Sequence, residues 1–280
     1  MSPSSPASPY RPTTAATALA ASLEGLKQPW SVARTRGILL QQRWTWDRAQ
    51  VVVAEVAVRP AVARSWLPPA LELPGTPVAS VFVADYPDTA MGFAYREAGV
   101  LLHARLRGAP VLHCAWMVVD DDTALILGRE LLGFPKKLAT IDLDFAGPRA
   151  RASVVRRGAE VLAFDAGPDG SPAARADDPR AFPHPIVNVR GIPGVAPAVL
   201  LGMRPNERCH SSRRLRLTIG SEPSACDPLA DLGLAGEHAA RHLVVDLAHP
   251  GAPGATRVPA WPAGLTSPAW LWKAYPFRAW

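Results

Sequence analysis

Hydrophobic and polar positions change rhythm at about Ala49. From there the chain runs in short apolar, β-branched stretches punctuated by Pro, Gly and Asp: VVVAEVAV (51–58), VASVFVADY (78–86), VLLHARL (100–106), VLHCAWMVV (111–119), TALILG (123–128) and ATIDLDF (139–145). Several of these alternate apolar and polar residues, which predicts half-buried antiparallel strands. RASVVRRGAEVLAFDAG (151–167) reads as a hairpin turning at Arg156, Arg157 and Gly158. PIVNVRGIP (185–193), RLRLTIG (214–220) and HLVVDL (242–247) add strands. Helical signals are short. RPAVARSWL (59–67) has Pro near its start and Pro68 behind it, and LAGEHAARH (234–242) is a second segment with helical spacing. The pattern predicts a β-rich α+β domain, a barrel or a closely packed pair of sheets.

The two ends differ from this body. Residues 1–28, opening MSPSSPASPYRP, are expected to form a disordered Ser/Pro-rich lead, because they offer too little apolar area to offset ordering entropy. Residues 29–249 are expected to form one domain, which a 280-residue chain has ample length to build. Residues 250–280 carry six prolines and four of the nine tryptophans, Trp261, Trp270, Trp272 and Trp280. Proline predicts an extended arm, and tryptophan predicts that it packs on its own subunit or on a neighbouring one.

Charge and cysteine narrow the class. The formal charge is +6, yet the basic residues are scattered, with no run interleaved with aromatics, so a nucleic-acid partner is not expected. Cys114, Cys209 and Cys226 share no C-x-x-C spacing and follow no secretory signature, which fits a reducing cytoplasm. The N-terminus lacks a basic region before an apolar core, and its Ala-rich patch is too weakly apolar for a membrane span.

Most polar clusters read as structural. His238 and His242 stand four apart, but the H-E-x-x-H glutamate and a third ligand are lacking, so an exposed or capping role is expected instead of metal binding. Asp120, Asp121 and Asp122 lie between apolar runs, as a solvated turn should. No phosphate loop, G-x-S-x-G elbow or dinucleotide fingerprint is present.

GRELLGFPKKL (128–138) is different: Lys136 and Lys137 follow an apolar turn and are flanked by expected core segments. A lysine presented this way can point inward, where an amine has a specific use as a nucleophile toward a ketone. Only the neutral amine attacks, and an ordinary lysine is neutral about once in ~2500 at pH 7. Loss of water and a second positive charge both favour the neutral form. Successive side chains on a strand point to opposite faces, so Lys137 is expected to leave the pocket Lys136 enters. Desolvation of Lys136 is therefore expected to dominate, with Lys137 a lesser influence.

These residues resemble the acetoacetate decarboxylase family, whose marker is matched by Gly128-Arg129-Glu130-Leu131 and by Phe134-Pro135-Lys136-Lys137-Leu138. DTAMGFAYREAG (88–99) resembles the family segment carrying an active-site glutamate, and residues 214–247 resemble its closing segment, with the D-P-L-x-D-L turn at Asp227 to Leu232. The resemblance spans roughly residues 40–248. It implies a closed, cone-like β-barrel of antiparallel sheets with few short helices, assembly into a homo-oligomer, and neither metal nor dissociable cofactor. It implies Lys136 as the Schiff-base lysine, Lys137 as its catalytic neighbour and Glu97 as the active-site carboxylate. Arg48, in preference to Arg43, would orient the substrate carboxylate or hold Glu97, and Phe134 would keep water from the amine. The implied reaction is decarboxylation of a β-keto acid, acetoacetate or a larger analogue, to a ketone and CO₂. Another imine reaction on a keto acid, such as aldol addition, dehydration or hydrolysis, is the alternative, and a noncatalytic binder is the rival of a different class.

Overall fold

The computed structural model describes residues 44–90, 92–170, 179–248 and 261–279. The expected N-terminal lead and Arg43 lie outside the described residues. The strands are β1 (Thr45–Ala57), β2 (Val78–Tyr86), β3 (Asp88–Thr89), β4 (Tyr95–Leu106), β5 (Ala109–Val119), β6 (Lys136–Leu138) and β7 (Thr140–Asp144). They continue as β8 (Ala150–Arg156), β9 (Ala159–Pro168), β10 (Ile186–Ile192), β11 (Ala196–Met203), β12 (Asn206–Gly220), β13 (Gly236–Ala248) and β14 (Trp261–Leu265). Three short helices accompany them: α1 (Pro60–Trp66), α2 (Asp122–Leu132) and α3 (Pro268–Ala279).

One sheet runs in the order β14-β11-β10-β5-β4-β2-β1-β13-β12-β9-β8-β7, with β3 on β1 and β6 on β5. Most neighbours are antiparallel, while β6 and β10 each lie parallel to β5, at opposite ends of the same edge. The expected barrel is not closed by backbone hydrogen bonds, since β7 has a ladder only to β8. Covalent continuity carries β7 round instead: Ala139 alone separates it from β6, and its N–H donates to Val119 O at 3.0 Å. Arg96 on β4 donates to Ile141 O of β7 at 2.9 Å.

Two apolar clusters occupy the two faces of the sheet, as period-2 alternation requires. One gathers Val52, Ala54, Val81, Val83, Val100 and Val118. The other gathers Phe82, Ala84, Tyr86, Tyr95, Met117 and Phe134.

Two expected elements change type. TALILG is not a strand but the start of α2: Asp121 caps it by accepting from Ala124 N at 2.8 Å, and Gly133 ends it in the left-handed region at φ 70°. Its buried Ala124, Gly128 and Leu132 recur every four residues, a period hidden by the unbroken apolar run before them. LAGEHAARH is not a helix; from Gly236 it enters β13, paired on one side with β1 and on the other with β12. The hairpin at 156–158 forms as expected, with Arg157 and Gly158 both at positive φ. Part of the expected extended arm is helical, as α3, and buries Trp270 and Leu271 against the first cluster. No described helix is long and apolar enough to cross a membrane.

Candidate active site

Parity on three neighbouring strands builds the walls of a small pocket. Across β2 and β4, Tyr86 faces Tyr95, Ala84 faces Glu97 and Phe82 faces Gly99, and each of these pairs shares a face of the sheet. On β5, Met117 lies opposite Gly99 and Val119 opposite Glu97. Gly99 is needed here, because a Cβ at that position would lie 2.6 Å from the Phe82 ring. The pocket is completed by Trp46, Leu132, Phe134, Phe182, Ile186, Met203 and Lys136.

GRELLGFPKKL delivers the two lysines. At the end of α2, Gly133 N donates to Arg129 O at 3.2 Å and Phe134 N to Gly128 O at 3.1 Å, the closure that a left-handed glycine permits. Pro135 leads into β6, which lies on β5 with Lys136 beside Met117 and Lys137 beside Val118. Arg129 reaches back to donate to Lys136 O at 3.4 Å. Lys136 lies over the helix at Gly128, where a Cβ would sit 2.5 Å from its Cδ and 2.7 Å from its Cε.

Being adjacent on a strand, the lysines part. Lys136 Nζ stands 2.7 Å from Glu97 Oε2, both side chains 7 % exposed. The Tyr95 and Phe134 rings lie 5.2 and 5.7 Å from the amine. Tyr86 Oη donates to Glu97 Oε1 at 3.5 Å, and Trp46 Nε1 donates to Tyr95 Oη at 2.9 Å. Burial first, then the negative charge of Glu97, holds the Tyr86 and Tyr95 phenols well above the usual range, so both remain protonated donors.

Lys137 turns to the other face and bonds Asp227, which is fully buried. Asp227 also accepts from Trp116 Nε1 at 2.8 Å and faces Arg156 Nε at 3.2 Å. Burial pushes the Lys137 ammonium below the ordinary lysine range, and Asp227 opposes that shift. Lys137, expected as a catalytic neighbour, does not line the Lys136 pocket.

Lys136, Glu97 and Phe134 are thus brought together at one pocket. Arg48 does not join them: it sits exposed in a β-bulge of β1 at φ 56°, its backbone N–H donating to Asp246 Oδ1 at 2.9 Å. The bulge breaks the alternation that would otherwise set its direction. His242, expected to be exposed or capping, is buried and accepts from Arg213 Nε at 2.9 Å, because its neighbours in β13 enter the core. The three aspartates are structural: Asp120 Oδ1 accepts from Arg96 N at 2.7 Å, Asp121 caps α2, and Asp122 opens its first turn. Among the described residues no group of three His, Cys, Asp or Glu is placed to hold a metal. Sequence reasoning missed Trp46, Tyr86, Tyr95, Phe82 and Phe182. Tyr95 was discoverable, since it lies two residues before Glu97 and so shares its face.

The pattern of the acetoacetate decarboxylase (ADC) family matches residues 31–253. A segment of 81 residues is 38% identical to acetoacetate decarboxylase of Ralstonia nicotianae, covering 29% of this chain and 32% of that protein. The match therefore spans about a third of that relative's length. Among solved structures, an acetoacetate decarboxylase superimposes with a TM-score of 0.70 at 18% identity, covering 79% of this chain and 89% of the other. The enduracididine biosynthesis enzyme MppR, bound to the condensation product of pyruvate and imidazole 4-carboxaldehyde, superimposes with a TM-score of 0.61 at 16% identity, covering 74% and 86%.

Proposed function

Because the chain belongs to the acetoacetate decarboxylase family, we propose that Lys136 forms a Schiff base with a β-keto acid and releases CO₂, leaving a ketone. The observation that carries the reading is the buried Lys136–Glu97 pair, 2.7 Å apart within aromatic walls. In the proposed reaction Lys136 Nζ first passes a proton across that 2.7 Å contact. Its transfer to Glu97 Oε2 leaves a neutral amine and a carboxylic acid in hydrogen-bond reach, the nucleophile and general acid that imine formation needs.

The amine lone pair attacks the ketone carbon, and the carbinolamine loses water to give a protonated imine. The bond to the carboxylate then breaks, its electrons pass to the imine nitrogen, and CO₂ departs from an enamine. Protonation at carbon and hydrolysis free the ketone and restore Lys136. The walls favour the bond-breaking step. Within these largely apolar walls the substrate carboxylate is poorly solvated, whereas CO₂ is neutral and suffers no such penalty. The reading includes a homo-oligomeric, cytoplasmic lyase without metal or dissociable cofactor, and takes the β6–Ala139–β7 step as the seam of a cone-like barrel.

A second reading is imine-based condensation or another keto-acid reaction at the same lysine, favoured by the condensation product named in the MppR structure. The test is incubation with acetoacetate, following CO₂ and acetone, with borohydride trapping and peptide mapping. Release of CO₂ with a reduced adduct on Lys136 supports decarboxylation, and an adduct without CO₂ favours the second reading. If wild type forms no adduct with any keto acid while Lys136→Ala keeps ligand affinity, the protein is a binder.

A further inference from the structure

The roof of the Lys136 pocket comes from a segment far from the lysine in sequence. Glu207, near the start of β12, accepts from Ala181 N at 2.7 Å through one carboxylate oxygen and from Phe182 N at 2.8 Å through the other. This two-point grip fixes the backbone at Phe182, whose ring meets Phe82 edge-on at a centroid distance of 5.3 Å. Glu207 pairs across the ladder with Leu247, which itself lines the pocket, so grip and wall belong to one rigid strand pair. Below the ring the free cavity is about 60 Å³. At roughly 10–15 Å³ of such space per water, that is room for only a few heavy atoms beyond the lysine.

We propose that Phe182, positioned by Glu207, gauges the substrate's length, so that the site takes 3-oxo acids ending in one or two carbons beyond the ketone and rejects longer chains. The inference rests on the Schiff-base reading above. Both rings that would meet the alkyl end are buried, and a longer end must displace Phe182 against two charge-assisted hydrogen bonds. Glu207 is a positioning residue: it acts on chain length through the segment it holds.

The test compares kcat/KM for acetoacetate and 3-oxohexanoate in wild type, Phe182→Ala, Phe182→Leu and Glu207→Gln. Wild type should prefer acetoacetate, and Phe182→Ala should shift the ratio toward 3-oxohexanoate by about tenfold or more, the worth of methylenes in an apolar pocket. Phe182→Leu, which guards against loss of fold in the alanine variant, should shift it the same way by less. Glu207→Gln should shift it through KM for the longer acid, with kcat on acetoacetate kept within about threefold. A ratio unchanged in both Phe182 variants, or wild type consuming both acids equally well, overturns the gauge. Borohydride adducts with acetoacetate separate the two readings: adducts with an unchanged ratio sink the gauge alone, whereas no adduct in wild type sinks the Schiff-base reading beneath it.

Discussion

Gly128→Ala tests whether the helix beneath Lys136 sets the position of the amine. The added methyl would stand 2.5 Å from Lys136 Cδ, 2.7 Å from Cε and 3.2 Å from Nζ. Carbon atoms settle near 3.5–4.0 Å, so the middle of the lysine chain must move by roughly 1 Å. The chain is buried between α2 and the aromatic walls, so a shift of that size should disturb the 2.7 Å approach of Nζ to Glu97. Fold stability falls by about 2 kcal/mol at most when the full helix gain applies: alanine in a helix interior gains up to about 1 kcal/mol over glycine, while overpacking costs about 1–3 kcal/mol. Catalysis has no such offset, and a misplacement of that size costs about 10²-fold. The assay is kcat for CO₂ release from acetoacetate beside a thermal melt, with Ile126→Ala on the exposed side of the same helix as control. A folded Gly128→Ala protein retaining kcat within about threefold of wild type would refute the reasoning.

Asp227→Ala leaves Lys137 and Arg156 buried without their shared counter-charge, and should cost about 3–5 kcal/mol, read as a fall in Tm of roughly 10 °C; an unchanged melt would show the cluster to be dispensable. His242 is pushed down to about 4 by burial first and Arg213 second, against an ordinary value of 6.5. The unfolded chain therefore binds the extra proton between those values, so stability is full above pH 6.5, falls as pH drops toward 4 and then levels. The loss should be about 1–2 kcal/mol after discounting for solvent screening, and should vanish in His242→Gln; identical pH dependence of Tm in the two proteins counts against it. Gly99→Ala places a methyl 2.6 Å from the Phe82 ring and drives the ring into the pocket, so KM for acetoacetate should rise about tenfold, whereas an unchanged KM would mean that Phe82 yields elsewhere.

What was legible in the sequence is what obeys a local period. The strands announced themselves by alternation, and the divergence of Lys136 from Lys137 follows from adjacency on a strand, whichever strand it proves to be. The α2 helix was hidden because TALIL is apolar without interruption, and its signals, Asp121 and Gly133, lie outside the run. The segment at 234–242 looked helical because its spacing suits either element, and only its two ladder partners decide for β13. Contacts made by residues in distant loops left no local trace. Phe182 meets Glu207 across 25 positions, and Asp227 meets Lys137 across 90. Arg48 rested on the resemblance alone, and no residue type near it marks the bulge in which it sits.

The paired lysines acquire separate reasons from this geometry. A three-residue strand such as β6, paired on one side only with β5, has little ladder of its own to hold it. Its further anchors are a side-chain hydrogen bond from Arg129 to the Lys136 carbonyl, a backbone hydrogen bond from Ala139 N to Val119 O, and the ion pair of Lys137 with Asp227 on the far face. Sliding β6 by one residue would leave a lysine at only one of the two carboxylates and bring Pro135 to Glu97 or Leu138 to Asp227, so one of the two buried ion pairs is lost whichever way the strand slips. Each lysine thus enforces the register of the other. Adjacency of two like charges, which would be unfavourable if both faced one pocket, becomes a register lock once each has a carboxylate on its own side.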